Sequence, residues 1–189
     1  MKLIVLLSFL IWPAAITAQH TYNSNAKAEN MVGRNFPAAS FITCNGNVWN
    51  SQQLKGKVTL VNFWFTTCRN CLQEIPYLVA LKDTLSNESF SIVSFARNTE
   101  GELIHFFRKK YLKQSFPLIP YDIIPTLTGT ETRSSLLHDS LHVNAYPLTY
   151  ITDKNGVIRY ASTGFPEEGL TAYVYFHKLR SLIDQLMKE

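Results

Sequence analysis

The sequence predicts an α/β fold: a central mixed β-sheet flanked by helices, with an N-terminal β-hairpin extension. Three observations carry this. Lys57 to Phe65 (KVTLVNFWF) is a nearly unbroken apolar, β-rich run. Such a run marks a strand buried on both faces, as in a parallel sheet. Runs of this kind alternate with helical periodicity, which places helices on both faces of one sheet. Asn45-Gly46 and Lys154-Asn155-Gly156 each sit between short β-rich runs and mark hairpins. The second hairpin comes late in the order and makes the sheet mixed.

Each element follows from its residues. Residues 1–18 (MKLIVLLSFLIWPAAITA) begin with Lys2, run apolar from Leu3 to Trp12 apart from Ser8, and break at Pro13 into small residues. That is the layout of a secretory signal peptide. A spanning helix needs about 20 apolar residues, and polar Gln19, His20 and Asn23 arrive first. Cleavage is expected after Ala18. An uncleaved anchor is the alternative, because Ile16 stands where a small residue is favoured. Residues 19–30 are polar and aperiodic, a flexible lead-in to one domain over 31–189.

Ala39 to Thr43 and Val48 to Trp49 make the first hairpin, and the buried strand follows. Thr66 to about Thr84 carries a helical stripe of Leu72, Ile75, Leu78, Val79 and Leu81, with Pro76 expected to kink it. Phe90 to Phe95 is a second buried strand. Glu100 to Lys113 is a helix with Leu103, Phe106, Phe107 and Tyr111 on one side. Its cluster of Arg108, Lys109, Lys110 and Lys113 forms the wet face. Phe116 to Ile119 reads as a short strand. Thr126 to Leu141 is ambiguous, with a helix open from Thr132. Leu148 to Thr152 and Val157 to Ala161 form the second hairpin. Glu167 to Met187 is a final amphipathic helix on Leu170, Tyr173, Val174, Leu179, Leu182, Ile183 and Leu186.

Composition bounds the function. Of 189 residues, 46% are hydrophobic and 17% charged, which suits one sizeable core and excludes wholesale disorder. A net charge of +4 without a basic stripe and motif gives no nucleic-acid partner. Three cysteines are too few for a disulfide-stapled mini-domain, and the odd count leaves at least one thiol without an intrachain partner. The leader places the mature chain outside the cytosol, periplasmic or secreted, where disulfides persist. Membrane contact is expected only if the leader stays on.

Cys68-Arg69-Asn70-Cys71 sits where the buried strand gives way to a helix. Half a zinc site is one reading of a C-x-x-C. A structural zinc site needs four ligands, and no second Cys or Cys/His pair stands at ligand spacing. A redox pair fits better. A cysteine at a helix N-terminus faces unpaired N–H groups that favour its thiolate, and Arg69 pushes the same way. The second cysteine, one turn on, is placed to close a short disulfide loop.

The segment Gly56 to Pro76 (GKVTLVNFWFTTCRNCLQEIP) resembles the active-site stretch of the thioredoxin superfamily. It is most similar to the secreted redoxin branch, the TlpA- and ResA-like thiol-disulfide oxidoreductases. The Gly33 to Trp49 hairpin resembles that branch's N-terminal extension, and Tyr146-Pro147-Leu148 its cis-proline loop. The likeness covers about residues 31–189. It implies a thioredoxin-like fold and dithiol–disulfide exchange, with no cofactor beyond a redox disulfide of Cys68 and Cys71, and no metal. By this resemblance Cys68 is the nucleophile and Cys71 the resolving thiol. Pro147 and Tyr146 shape the substrate groove, with Arg69 and Asn70 at its rim and Trp64 near the disulfide. Glu74 matches a carboxylate that shuttles the resolving thiol's proton. The implied partners are a protein disulfide or thiol substrate and a membrane-borne dithiol electron donor.

The chain also departs from the family pattern. Asn62 stands six before Cys68, where many thioredoxins carry an acidic residue, so the proton route falls to Glu74. Thr67 replaces a frequent Trp, and Asn70 a frequent Pro. A thiol peroxidase resembles Pro-x-x-x-Thr-x-x-Cys, but Phe65 lies three before Cys68. A copper module of this fold resembles C-x-x-x-C with a distal His. His138 and His142 would share a helix face, and His20 lies near the expected new N-terminus. Cys44 reads as a small buried hydrophobe. The 121–141 segment is longer than the family's usual connection and is a place for added substrate specificity or a variable surface insertion.

Overall fold

The architecture comes from a computed structural model that describes residues 24–85, 88–112, 119, 121–128, 131–132, 135–166 and 169–189. The expected signal peptide, residues 1–18, and His20 lie outside the described residues. The elements run α1 (Ser24–Glu29), β1 (Ser40–Ile42), β2 (Val48–Asn50), a 3-10 turn (Ser51–Leu54), β3 (Val58–Trp64) and α2 (Arg69–Thr84). They continue with β4 (Phe90–Ala96), α3 (Glu100–Leu112), β5 (Asp122–Pro125), β6 (Leu127–Thr128) and β7 (Glu131–Thr132). α4 (Ser135–Ser140), β8 (Leu148–Thr152), β9 (Ile158–Thr163) and α5 (Leu170–Lys188) complete the order.

The main sheet has five strands in the order β5-β4-β3-β8-β9. β3 pairs parallel with β4, and β4 with β5, while β8 lies antiparallel to β3 and to β9. The sheet is therefore mixed and thioredoxin-like. Every residue of β3 is buried, as its apolar run requires. Alternation along β3 divides the core. Val61 and Phe63 face a cluster closed by Met31, Phe36, Trp49, Leu54 and Leu141, which belong to or flank α1, the hairpin, the turn and α4. Val58 and Leu60 face a second cluster built from Leu78 and Leu81 of α2 and Leu179, Ile183 and Leu186 of α5.

Gly46 and Gly156 hold positive φ of 79° and 80° in the two hairpin turns, a conformation that a Cβ would strain. α2 runs unbroken through Pro76. The lead-in departs from expectation: Ser24–Glu29 is helical, because Ala28 and Met31, three residues apart, bury against the β9 side of the sheet. The strand expected at Phe116–Ile119 falls mostly outside the described residues, and Ile119 belongs to no strand. The parallel edge is instead Asp122–Pro125, where Ile123 and Ile124 are buried.

Candidate active site

β3 ends at Trp64 and α2 begins at Arg69, so the chain turns from strand to helix over 65–68. Asn98, just past β4, clamps that turn. Its Oδ1 accepts from the Thr66 amide at 2.9 Å, and its Nδ2 donates to Thr66 Oγ1 at 3.0 Å. Glu102 Oε2 accepts from the same Nδ2 at 3.2 Å. The Arg97 amide donates to the Trp64 carbonyl at 2.8 Å.

Cys68 is the N-cap of α2, and its Sγ accepts from the Cys71 amide at 3.2 Å. The two cysteines form a disulfide with Cα atoms 5.3 Å apart. Cys68 keeps 8% exposure and Cys71 none, so an incoming group meets Cys68 first. The helix N-terminus directs its partial positive charge at that sulfur and favours a thiolate there once the bond is opened. Arg69 and Asn70 are exposed on the rim.

Tyr146 and Pro147 come to the same place from the far end of the chain. The Tyr146–Pro147 peptide bond is cis, and Pro147 is buried. The Tyr146 ring meets Phe65 edge-on at 5.3 Å and packs against the cluster that holds Cys68 and Cys71. Trp64 is fully buried in that cluster, 6.0 Å from the Phe106 ring and 6.3 Å from Phe107. Its indole N–H has no hydrogen-bond partner among the described residues.

Glu74 lies one turn after Cys71 on α2 and is 1% exposed. Three donors hold its carboxylate: Asn62 Nδ2 to Oε2 at 2.9 Å, Thr149 Oγ1 to Oε1 at 3.3 Å, and Tyr175 OH to Oε1 at 3.2 Å. Burial outweighs these bonds and lifts its pKa to about 7. Glu74 is thus a sealed carboxylate close to its own midpoint at neutral pH. The sequence singled out Glu74 and Asn62. It gave no signal for Thr149, Tyr175 or Asn98, which lie 75, 101 and 32 residues from their partners.

Cys44 is half-buried against the cysteine cluster, and its amide donates to the Ile123 carbonyl at 2.8 Å. Desolvation, helped by the charge of Glu100, pushes its thiol up to about 11. It stays protonated at neutral pH. The expected His pair does not share a helix face. α4 stops at Ser140, His138 is buried edge-on to Phe63, and His142 lies beyond the helix, exposed, at φ 51°.

A disulfide closed over two residues at a helix N-terminus, at the end of the central strand of a mixed sheet, defines a thiol-disulfide oxidoreductase of thioredoxin-like fold. The AhpC/TSA family model matches residues 32–161, and the chain belongs to that family. Thioredoxin-like protein YneN of Bacillus subtilis is 28% identical over 154 residues, covering 79% of this chain and 83% of that one. Thiol-disulfide oxidoreductase ResA of Bacillus subtilis is 24% identical over 168 residues, covering 89% and 83%. The fold is similar to a crystal structure from Chlorobium tepidum described as thiol:disulfide interchange protein DsbE. There the TM-score is 0.67 at 16% identity, over 82% of this chain and 97% of that one.

Proposed function

We propose that the protein is an extracytoplasmic reductant of protein disulfides. The observation that carries the exchange chemistry is a rim-facing Cys68 joined to a sealed Cys71, with a sealed carboxylate one turn below. In the working direction the Cys68 thiolate attacks one sulfur of a substrate disulfide. That S–S bond breaks, one substrate sulfur leaves as a thiolate and takes a proton from water, and the other stays bonded to Cys68. Cys71 passes its proton to the Glu74 carboxylate and attacks Cys68 Sγ, which releases the second substrate thiolate. Two electrons reach the substrate and the Cys68–Cys71 disulfide remains. A membrane-borne dithiol would then reduce it by the reverse steps. The leader at residues 1–18 supports the compartment. Tyr146, Pro147, Arg69 and Asn70 frame the groove for an extended substrate.

The reductant direction rests on the likeness to the ResA-like branch. The helix field at Cys68 favours its thiolate and pulls the other way. The redox equilibrium of the mature protein against glutathione, with thiols trapped for mass analysis and Cys44→Ala as control, decides it. A potential near or below roughly −230 mV supports the reductant, and one near about −120 mV makes the protein an oxidant. Failure of Cys68 and Cys71 to form a reversible couple would sink the exchange chemistry and turn attention to copper stoichiometry. Phe65 occupies the position of the peroxidase threonine, so hydrogen peroxide turnover is expected at background level.

A further inference from the structure

The proposed exchange asks opposite things of Glu74 in its two halves. Cys71 attacks only after its proton has left, so resolution of the mixed disulfide needs the carboxyl ionised. Opening of the Cys68–Cys71 bond sends Cys71 out as a thiolate, so that half needs the carboxyl protonated. Glu74 is shielded from solvent, and its balance between the two forms is set by the donors around it. These are not equivalent. Asn62 and Thr149 lie opposite each other on β3 and β8 and bond to one another at 3.2 Å. Asn62 reaches Oε2, and Thr149 reaches Oε1 at 3.3 Å, the longest of the three contacts. Tyr175 comes from the helix layer, on α5, and donates to Oε1 at 3.2 Å. A phenol is a more acidic donor than an amide or an alcohol, and a bond to an ionised acceptor is among the stronger kinds. Its ring is also held. Phe165 meets it edge-on at 5.6 Å, and Tyr77 of α2 backs Phe165 at 5.2 Å. The neighbouring Gly164 amide donates to the Pro147 carbonyl at 2.7 Å, which ties this support to the groove.

We propose that Tyr175 is a positioning residue whose hydroxyl holds the Glu74 carboxylate in the ionised form that accepts the Cys71 proton. In resolution, Cys71 gives its proton to that carboxylate and its sulfur bonds to Cys68 Sγ. The bond from Cys68 to the substrate sulfur breaks, and the substrate leaves as a thiolate. In opening, an external thiolate bonds to Cys68 Sγ, the Cys68–Cys71 bond breaks, and the Cys71 thiolate takes the Glu74 proton. Tyr175 gives up no proton in either half. Burial first, and then the Glu74 charge, hold its phenol well above the ordinary pKa, so it remains a neutral donor. The titratable groups facing Glu74 are Tyr175 on α5 and Cys71, buried one turn back on α2. Tyr160 on β9 faces Tyr175 in turn, with the Lys178 ammonium 5.4 Å from the Tyr160 ring centre. Asn62 and Thr149 do not titrate. Removing the Tyr175 hydroxyl therefore favours the protonated carboxyl, which slows resolution and quickens opening.

The inference rests on Glu74 serving Cys71, and the test separates the two. Both halves are measured from pH 5 to 9 on mature protein carrying Cys44→Ala, so that only Cys68 and Cys71 report. For opening, oxidised protein is mixed with dithiothreitol, thiols are trapped with time, and rates are divided by the dithiothreitol thiolate concentration. For resolution, reduced protein is mixed with excess 5,5′-dithiobis(2-nitrobenzoic acid). Attack by Cys68 releases one thionitrobenzoate and attack by Cys71 a second. The second phase, independent of reagent concentration, is resolution. In the parent, opening is expected to fall and resolution to rise through about pH 7 as Glu74 loses its proton. Tyr175→Phe keeps the ring and should move both breaks upward by about one pH unit. Opening at pH 8 then becomes about fivefold faster, and resolution at pH 6 about tenfold slower. A loss of packing alone would not drive the two halves in opposite directions. On a Glu74→Gln background both breaks should vanish, and Tyr175→Phe should change neither rate. The role of Tyr175 is overturned if Tyr175→Phe leaves both breaks in place, shifts the two rates in the same direction, or alters Glu74→Gln by the same factors. If Glu74→Gln keeps both breaks of the parent, Glu74 does not serve Cys71, and the inference falls with that reading. If Glu74→Gln loses the breaks while Tyr175→Phe keeps them, only the role of Tyr175 falls.

Discussion

Asn62 decides what the buried carboxylate can do. Its Nδ2 donates to Glu74 Oε2 at 2.9 Å and to Thr149 Oγ1 at 3.2 Å, and its Oδ1 has no partner among the described residues. A neutral amide lowers the cost of ionising Glu74 without titrating itself. Asn62→Asp would set two carboxylates against each other in a sealed space. Such a pair holds one proton between them and titrates as a unit. The pH break of dithiothreitol reduction is then expected to rise by about one unit or more, and the rate at pH 8 to increase. An unchanged break would mean that position 62 does not reach the reacting proton. At this scale the sequence was legible where local chemistry makes a motif. The Cys68–Cys71 spacing announces itself, and Glu74 follows it by one turn. The groups that hold Glu74 were not legible. Thr149 and Tyr175 come from β8 and α5, and no periodicity in those elements marks a polar residue as a partner of α2.

The junction between β3 and α2 is a loop held from outside. Asn98 bonds Thr66 twice, once at the amide and once at the hydroxyl. Asn98→Ala leaves the part-buried Thr66 amide without its acceptor, an expected loss of about 1–3 kcal/mol by urea unfolding. Cys68 alkylation in the reduced protein should also change, because the loop sets where the α2 N-terminus meets the sulfur. Full stability with unchanged alkylation would show that the loop stands without the clamp. The elements show why apolar pattern reads some segments well. β3, β4 and β8 are buried along almost their whole length, so their composition alone marks them. α5 shows the limit. Leu170, Tyr173 and Val174 were expected to face inward, yet they are 77%, 58% and 58% exposed. The inward stripe is Ala172, Leu179, Ile183 and Leu186, with Tyr175 and Phe176 partly covered. Two apolar stripes share the first turns of α5, and only the sheet beneath selects between them. The same ambiguity hid α1, where two apolar side chains, Ala28 and Met31, suffice once β9 supplies a surface.

At the scale of the whole molecule, the buried Glu74 carboxylate sets how stability responds to pH. Glu74 titrates near 7 in the folded chain, against an ordinary value of 4.5. The cause is desolvation, which penalises the charged form. Between these two values the native state holds a proton that the unfolded chain has released, so stability falls as pH rises from about 4.5 to 7. Below the window both states are protonated, above it both are ionised, and this group adds no further slope. Each unit of displacement is worth about 1.4 kcal/mol, so the total is a few kcal/mol. Other groups act in different ranges. The half-buried Cys44 thiol, raised from 9.0 to about 11, removes stability only in the alkaline range. The exposed Glu102, held below its ordinary pKa by the Thr99 amide first and Asn98 second, loses its contribution only in acid. The parent curve sums every titrating group, so it does not by itself isolate Glu74. The difference between the parent and Glu74→Gln does, because the contributions common to both proteins cancel. Urea unfolding of the oxidised forms at half-unit steps from pH 5 to 8 should show the parent losing stability relative to Glu74→Gln, with the gap levelling off above about 7. A constant gap across the range would mean that Glu74 titrates alike in both states and is not sealed in solution. In the proposed exchange one proton on one carboxyl governs both processes, so the same plateau should coincide with the pH at which disulfide opening slows.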